Sequence, residues 1–183
     1  TGGGMEQFCK AIGADTPDIT NASRRMKPSE FENCKKNGVA DIVEVQIGID
    51  GLAIAQSNKG QKFALTTSDV YKALAANPFG KPQTAKLWSD VNPALPQLPI
   101  AVFGPPTTSG TRDSFPELIL ESGCSTDATI KALKASNEDK YKAICTEIRT
   151  DGAYKEQGEN DNLIVQKLDA NPDMIGVFGF SYM

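Results

Sequence analysis

The chain has 183 residues, a formal net charge of −4 and no histidine. Its balance of 39% hydrophobic and 23% charged residues excludes collagen-like and disordered classes. An acidic chain without a long basic run argues against nucleic acid or an anionic membrane as partner. Any anion it binds must be held by local geometry rather than by bulk attraction. The absence of histidine removes Ser-His-Asp and Cys-His nucleophiles and the usual zinc sites.

In chain order, Thr1–Ala14 reads as a Gly-rich turn feeding a helix that Gly13 ends, with Met5, Phe8, Cys9 and Ile12 at helical spacing. Asp18–Ile19 reads as a short strand. Lys27–Asn37 reads as a helix, with Pro28 in its first turn, Phe31 and Cys34 facing inward and Gly38 closing it. Ile42–Ala55 alternates at its start (Val43, Val45, Ile47), which predicts one long strand or two joined at Gly48–Gly51. Leu65–Ala75 is a predicted helix with Thr67 or Ser68 as N-cap and Asp69 in the first turn.

The proline-rich stretch Asn77–Pro99 predicts an ordered loop with short elements around Trp88. Ile100–Phe103 is a predicted buried strand. A loop, Gly104–Gly110, should lead into a helix from about Arg112 to Glu121, since Pro116 belongs in a first turn. Helical pieces follow at Lys131–Leu133, Lys140–Ile148 and Asn162–Ala170, the last with Asn162 as N-cap. Ile175–Phe180 is a final apolar strand. Alternating strands and helices predict an α/β fold with mostly parallel pairing. No apolar run approaches the ~18 residues that span a bilayer, so direct membrane insertion is not expected.

The four cysteines form no C-x-x-C pair, and three pairings into two disulfides are open. The local pairs, Cys9–Cys34 and Cys124–Cys145, are favoured because each would pin a helix to a neighbouring segment. Such bonds would imply an oxidising compartment.

The strongest chemical signal is Phe103-Gly104-Pro105-Pro106-Thr107-Thr108-Ser109-Gly110-Thr111-Arg112-Asp113-Ser114-Phe115. A strand, a Pro/Gly/hydroxyl loop and a helix start bring unpartnered N–H groups, dipole charge, hydroxyls and a guanidinium together, which suits an oxyanion. No lysine follows Gly110, so this is not a Walker loop. Helix capping by Ser109 and Thr111 would need the same geometry. Two weaker signals are Thr1-Gly2-Gly3-Gly4 before a helix and Asn21-Ala22-Ser23-Arg24-Arg25 after the short strand. In open α/β sheets such loops gather at the carboxyl ends of strands, where ligands bind.

These stretches, with DITNASRRMK, IDGLAIA, IRTDG and GENDNLIVQKL, resemble the periplasmic phosphate-binding proteins of ABC-type phosphate importers over nearly the whole chain. The resemblance implies a class II periplasmic-binding-protein fold of two α/β lobes joined by a two-strand hinge. Residues 1–51 would be part of lobe 1, 52–173 lobe 2, and 174–183 a strand returning to lobe 1. The hinge would lie at Ile47–Leu52 and Met174–Phe178. Phosphate would sit in the inter-lobe cleft, and a membrane ABC permease would receive it. The resemblance assigns Thr1, Gly2 and Ser23 to phosphate in lobe 1, and Ser109, Gly110 and Thr111 in lobe 2. No cofactor, metal or catalytic residue is implied.

Two positions depart from the pattern. Family members carry an aspartate directly after the Ser23 equivalent, where this chain has Arg24. They carry an arginine four positions before the SGT serine, where this chain has Pro105. Arg24 and Arg112 are therefore expected to supply the positive charge, and Asp113 and Asp161 are candidates to accept the ligand proton. The chain is also shorter than the pattern at both ends, so the first lobe is expected to be incomplete, with its missing pieces on another chain or outside this sequence. The alternatives are a receptor for another tetrahedral oxyanion such as sulfate, a secreted phosphatase whose metal would need carboxylates, the nearest thing to a cluster being Glu159 close to Asp161, or a purely structural secreted protein.

Overall fold

A computed structural model describes residues 2–183. The chain divides into two compact units, a first ending at Asp50 and a second spanning Gly51–Met183.

The first unit carries two helices, α1 (Gly2–Phe8) and α2 (Pro28–Lys36). The Gly-rich stretch is helical rather than a turn, and the helix stops at Phe8, well before Gly13. A disulfide joins Cys9, just past α1, to the buried Cys34 of α2, and Met5 is buried beside it. That crosslink and that burial offset the poor helix propensity of the glycines. Pro28 opens α2, and Gly38 follows its end at φ 88°, the left-handed geometry that glycine adopts without cost. Phe31 is partly exposed, not inward. Asp18–Ile19 and residues 39–50 form no strand. The alternating Val43, Val45, Ile47 and Ile49 are between 71% and 95% exposed, so the expected strand over Ile42–Ala55 exists only in its last part. A β pattern needs a neighbouring strand to become a strand, and these residues have none.

The second unit holds β1 (Leu52–Gln56), α3 (Thr67–Leu74), α4 (Trp88–Val91), β2 (Val102–Gly104), α5 (Gly110–Phe115), α6 (Glu121–Cys124), α7 (Ala128–Ser136), α8 (Glu138–Cys145), β3 (Tyr154–Glu156), α9 (Asp161–Ala170) and β4 (Ile175–Gly179). Its sheet runs β1-β4-β2-β3. β2 pairs parallel with β3 and with β4, while β1 pairs antiparallel with β4. This is the mixed α/β fold that alternation predicted. β3 was missed because Tyr-Lys-Glu carries no apolar run.

The period of two is visible in the packing. Leu52, Ile54, Val102, Ile175 and Val177 face a large core with Tyr71, Leu74, Trp88, Phe115 and Tyr141. Ala53, Phe103 and Phe178 face the opposite side, against Ile164 and Leu168 of α9. The sheet is thus covered on both faces, as parallel strands require. Gly176 is where α9 comes closest: a Cβ there would meet Leu168 and Ile164 at 2.7 and 3.0 Å.

Caps differ by a residue or two from expectation. Thr66 caps α3, accepting from Asp69 N–H at 3.1 Å while Asp69 Oδ2 accepts from Thr66 N–H at 3.0 Å. Asn160 rather than Asn162 caps α9, accepting the Asn162 N–H at 3.0 Å. The largest surprise is Pro116, which lies six residues past Gly110 instead of in a first turn. Residues Pro116–Leu120 form a π turn that joins α5 to α6 without a break. The wider turn, with Glu121 N–H donating to Pro116 O, absorbs a residue that lacks an N–H and would clash with the carbonyl four residues back.

Cys124 and Cys145 form the second disulfide. It joins α6 to α8 across a loop of sequence separation 21, which chain entropy values at about 3 kcal/mol. Arg149, buried in the IRTDG stretch, is structural: it donates to Ala73 O at 3.0 Å and Ala85 O at 2.9 Å, and pairs with Asp151 at 2.5 Å.

Candidate functional site

Parallel pairing points β2, β3 and β4 the same way, so their carboxyl ends (Gly104, Glu156 and Gly179) share one edge of the sheet. The loop 105–109 leaves that edge and enters α5, and the loop 157–160 leaves it and enters α9. Both helices therefore aim their N-termini, with their partial positive charge, at the edge where ligands bind in such sheets.

Ser109 is the N-cap residue of α5, yet its side chain makes no capping hydrogen bond. The hydroxyl is present and the cap role is unused. Gly110 and Thr111 open the helix beside it, both partly exposed. Arg112 lies over the ring of Tyr154, with its Cζ 4.8 Å from the centroid. Its Nε is buried without a hydrogen-bond partner. The protein's other arginines all face carboxylates: Arg24 meets Glu30, Arg25 meets Glu44 and Arg149 meets Asp151. Arg112 pairs with no carboxylate among the described residues.

Tyr154 supports this arrangement, and sequence reading missed it. Its hydroxyl donates to Pro105 O at 2.9 Å, fixing the start of the loop, and its ring stacks on Phe115 at 6.4 Å. Burial pushes the phenol well above its ordinary range, while the Arg112 charge works the other way and Glu156 and Asp161 reinforce burial. The phenol therefore stays a hydrogen-bond donor. Gly104 is required for it, since a Cβ there would collide with the Tyr154 hydroxyl. Thr108 donates its hydroxyl to the exposed Glu159 carboxylate, which ties the two loops together. Asp161 is buried, and its Oδ2 accepts the Gly179 N–H at 2.8 Å. Asp113 is exposed in the first turn of α5.

In the first unit, Thr1 lies outside the described residues. Gly2 is the exposed first residue of α1. Ser23 is exposed in the bend before α2. Arg24 makes a two-pronged bond to Glu30, at 2.9 and 2.7 Å, and also donates to Arg25 O at 3.0 Å. That guanidinium, together with the Lys27 N–H, holds the Glu30 carboxyl at about 2, against an ordinary 4.5.

The structure thus brings Ser109, Gly110, Thr111 and Arg112 together at one edge of the second unit. What the arrangement can do is bind: hydroxyls, backbone N–H groups and an uncompensated guanidinium are all donors. Among the described residues, no group of three or more acidic, cysteine or histidine side chains gathers to hold a metal.

The chain is similar to known proteins. The chain matches the PBP superfamily domain over residues 1–182. It is 32% identical over 184 residues to Protein SphX of Synechococcus elongatus, an alignment covering 100% of this chain and 44% of that protein. It is 29% identical over 182 residues to the phosphate-binding protein PstS of Staphylococcus saprophyticus, covering 100% of this chain and 45% of that protein. The crystal structure of a "possible phosphate binding protein" from Planctomyces limnophilus superposes with a TM-score of 0.60 at 32% identity, covering 100% of this chain and 52% of that one. The chain therefore spans less than half the length of these two curated relatives.

Proposed function

Because this chain belongs to the PBP superfamily, we propose that it captures inorganic phosphate as a solute-binding protein and delivers it to a membrane ABC importer, without catalysis. The observation that carries this reading is Arg112, a partly buried guanidinium with no carboxylate partner, set beside the unused hydroxyl of Ser109 at the start of α5. A positive group in that state awaits an anion, since charge-assisted bonds to phosphate repay its desolvation. The relatives named for phosphate support the choice of ligand.

In this reading the second unit binds through Ser109, Gly110, Thr111 and Arg112. Thr1, Gly2 and Ser23 of the first unit are assigned to phosphate on resemblance, while Arg24, expected to add positive charge where the family carries an aspartate, is held by Glu30. Domain boundaries near residues 51 and 174 belong to the same proposal. Exported, periplasmic placement is supported by the disulfides Cys9–Cys34 and Cys124–Cys145, which persist in oxidising compartments. No helix among the described residues is long and apolar enough to cross a membrane.

Calorimetry with inorganic phosphate tests the proposal on the wild type and on Arg112→Gln. The wild type should bind, and the variant should lose about tenfold or more in affinity, as loss of a charged hydrogen bond does. Its thermal midpoint should not fall, because Arg112 pairs with nothing in the protein except the Tyr154 ring. A wild type that binds neither phosphate nor sulfate overturns the reading. A wild type that binds sulfate alone moves it to the sulfate alternative.

A further inference from the structure

Arg24, Arg25 and Arg149 are each held by a carboxylate. Such a hold neutralises the guanidinium and takes up N–H groups that could reach a ligand. Arg112 is held differently. Its Cζ lies 4.8 Å from the centroid of the Tyr154 ring, and its buried Nε has no hydrogen-bond partner among the described residues. An aromatic face attracts the cation through its quadrupole and leaves the N–H donors in the guanidinium plane free.

The ring is itself fixed. Tyr154 opens β3, pairs with Val102 of β2 and is 8% exposed. It stacks on Phe115, the last residue of α5, at 6.4 Å with an interplanar angle of 23°. Its hydroxyl donates to Pro105 O at 2.9 Å, where the chain leaves β2. One buried side chain thus touches Pro105 before the loop's hydroxyls, and Arg112 and Phe115 after them, with Ser109, Gly110 and Thr111 between. A flexible arginine loses rotamer freedom when an anion fixes it. One already held by a rigid ring has lost that freedom in advance, which favours binding.

We propose that Tyr154 is a positioning residue of the anion site. Its ring face sets the Arg112 guanidinium in place with the donors free, and its hydroxyl sets the start of the loop that carries Ser109. The inference rests on the phosphate reading above. The action of Tyr154 on the anion passes through Arg112 and the loop, and no atom is transferred.

Calorimetry with sodium phosphate tests it on the wild type, on Tyr154→Phe, and on chains carrying monofluoro-, difluoro- or trifluorophenylalanine in place of Tyr154. Fluorination drains the negative face of the ring while nearly keeping its shape, so these chains fold as the phenylalanine form does. Each is also made with Arg112→Gln. Y154F loses only the tether to Pro105 and should bind phosphate about threefold more weakly than the wild type. Affinity should then fall stepwise with each fluorine, by about threefold or more between the phenylalanine and trifluoro forms. With Arg112→Gln the fluorinated series should be flat, because no cation lies on the ring. A residue that merely supported the core would not make the effect of fluorine depend on Arg112. If the wild type binds phosphate and fluorination leaves affinity at the Y154F level or raises it, the inference is overturned and the proposed function stands. Equal losses with and without Arg112 overturn it too. A wild type that binds no phosphate removes the inference together with the proposed function.

Discussion

Four arginines of one chemical type end in two different situations. Arg24, Arg25 and Arg149 are committed to carboxylates of their own neighbourhood, whereas Arg112 has an aromatic ring for company. Nothing in the sequence separates them, because a carboxylate six or two residues away pairs only if the backbone turns it inward. The Arg24–Glu30 pair has a measurable consequence. Glu30 ionises at about 2 in the folded protein against 4.5 when unperturbed, so its contribution to stability is complete above about 4.5 and fades as the pH falls toward 2. Partial exposure of both side chains keeps that contribution modest. Glu30→Gln should flatten this part of the acid limb. Urea unfolding at stepped pH values, wild type against variant, would show the two stability curves converging as the pH falls from about 4.5 toward 2.

At the scale of elements, the strand–loop–helix unit β2–α5 was readable in advance because its punctuation is chemical: an apolar run, then Pro-Pro, then hydroxyls and glycine. Its continuation was not. Proline breaks an α-helix on local rules, yet here a π turn carries the helical path through Pro116 to Cys124, where the disulfide to α8 secures it. Tyr154 and Gly104 likewise form a pair that only pairing of β2 with β3 reveals, since they lie fifty residues apart in the sequence. Gly104→Ala should be costly for so small a change. The added methyl must displace the buried Tyr154 ring and its bond to Pro105, so the thermal midpoint should drop by the equivalent of roughly 1–3 kcal/mol. Alanine at the unencumbered Gly13 should leave it unchanged.

At the scale of the molecule, the two units differ in how they are held. The second has a sheet covered on both faces. The first has two short helices, one disulfide and an extended stretch over 39–50 that pairs with no strand. Exposed chain with few internal hydrogen bonds opens at low free-energy cost. Limited proteolysis with an enzyme that cuts after small and β-branched residues should therefore cleave first between Val43 and Ile49, and leave a resistant product that begins near Gly51. Early cleavage inside α3 or α9 instead would contradict this ranking of the units.

The amino-acid sequence alone determined the α/β class, the place of β1, β2, β4 and most helices, the disulfide candidates, and the loop Ser109–Arg112 as the candidate place for an anion. Those properties follow from local rules: apolar period, turn residues, caps and residue chemistry. Only the tertiary structure decided that the 43–49 alternation would stay unpaired, that Tyr-Lys-Glu would be a strand, that Arg24 would be taken by Glu30, and that Asp161 would be buried against the Gly179 N–H. Each of these depends on which distant backbone arrives beside a residue, and hydrogen bonding and desolvation respond to that neighbour rather than to the position along the chain.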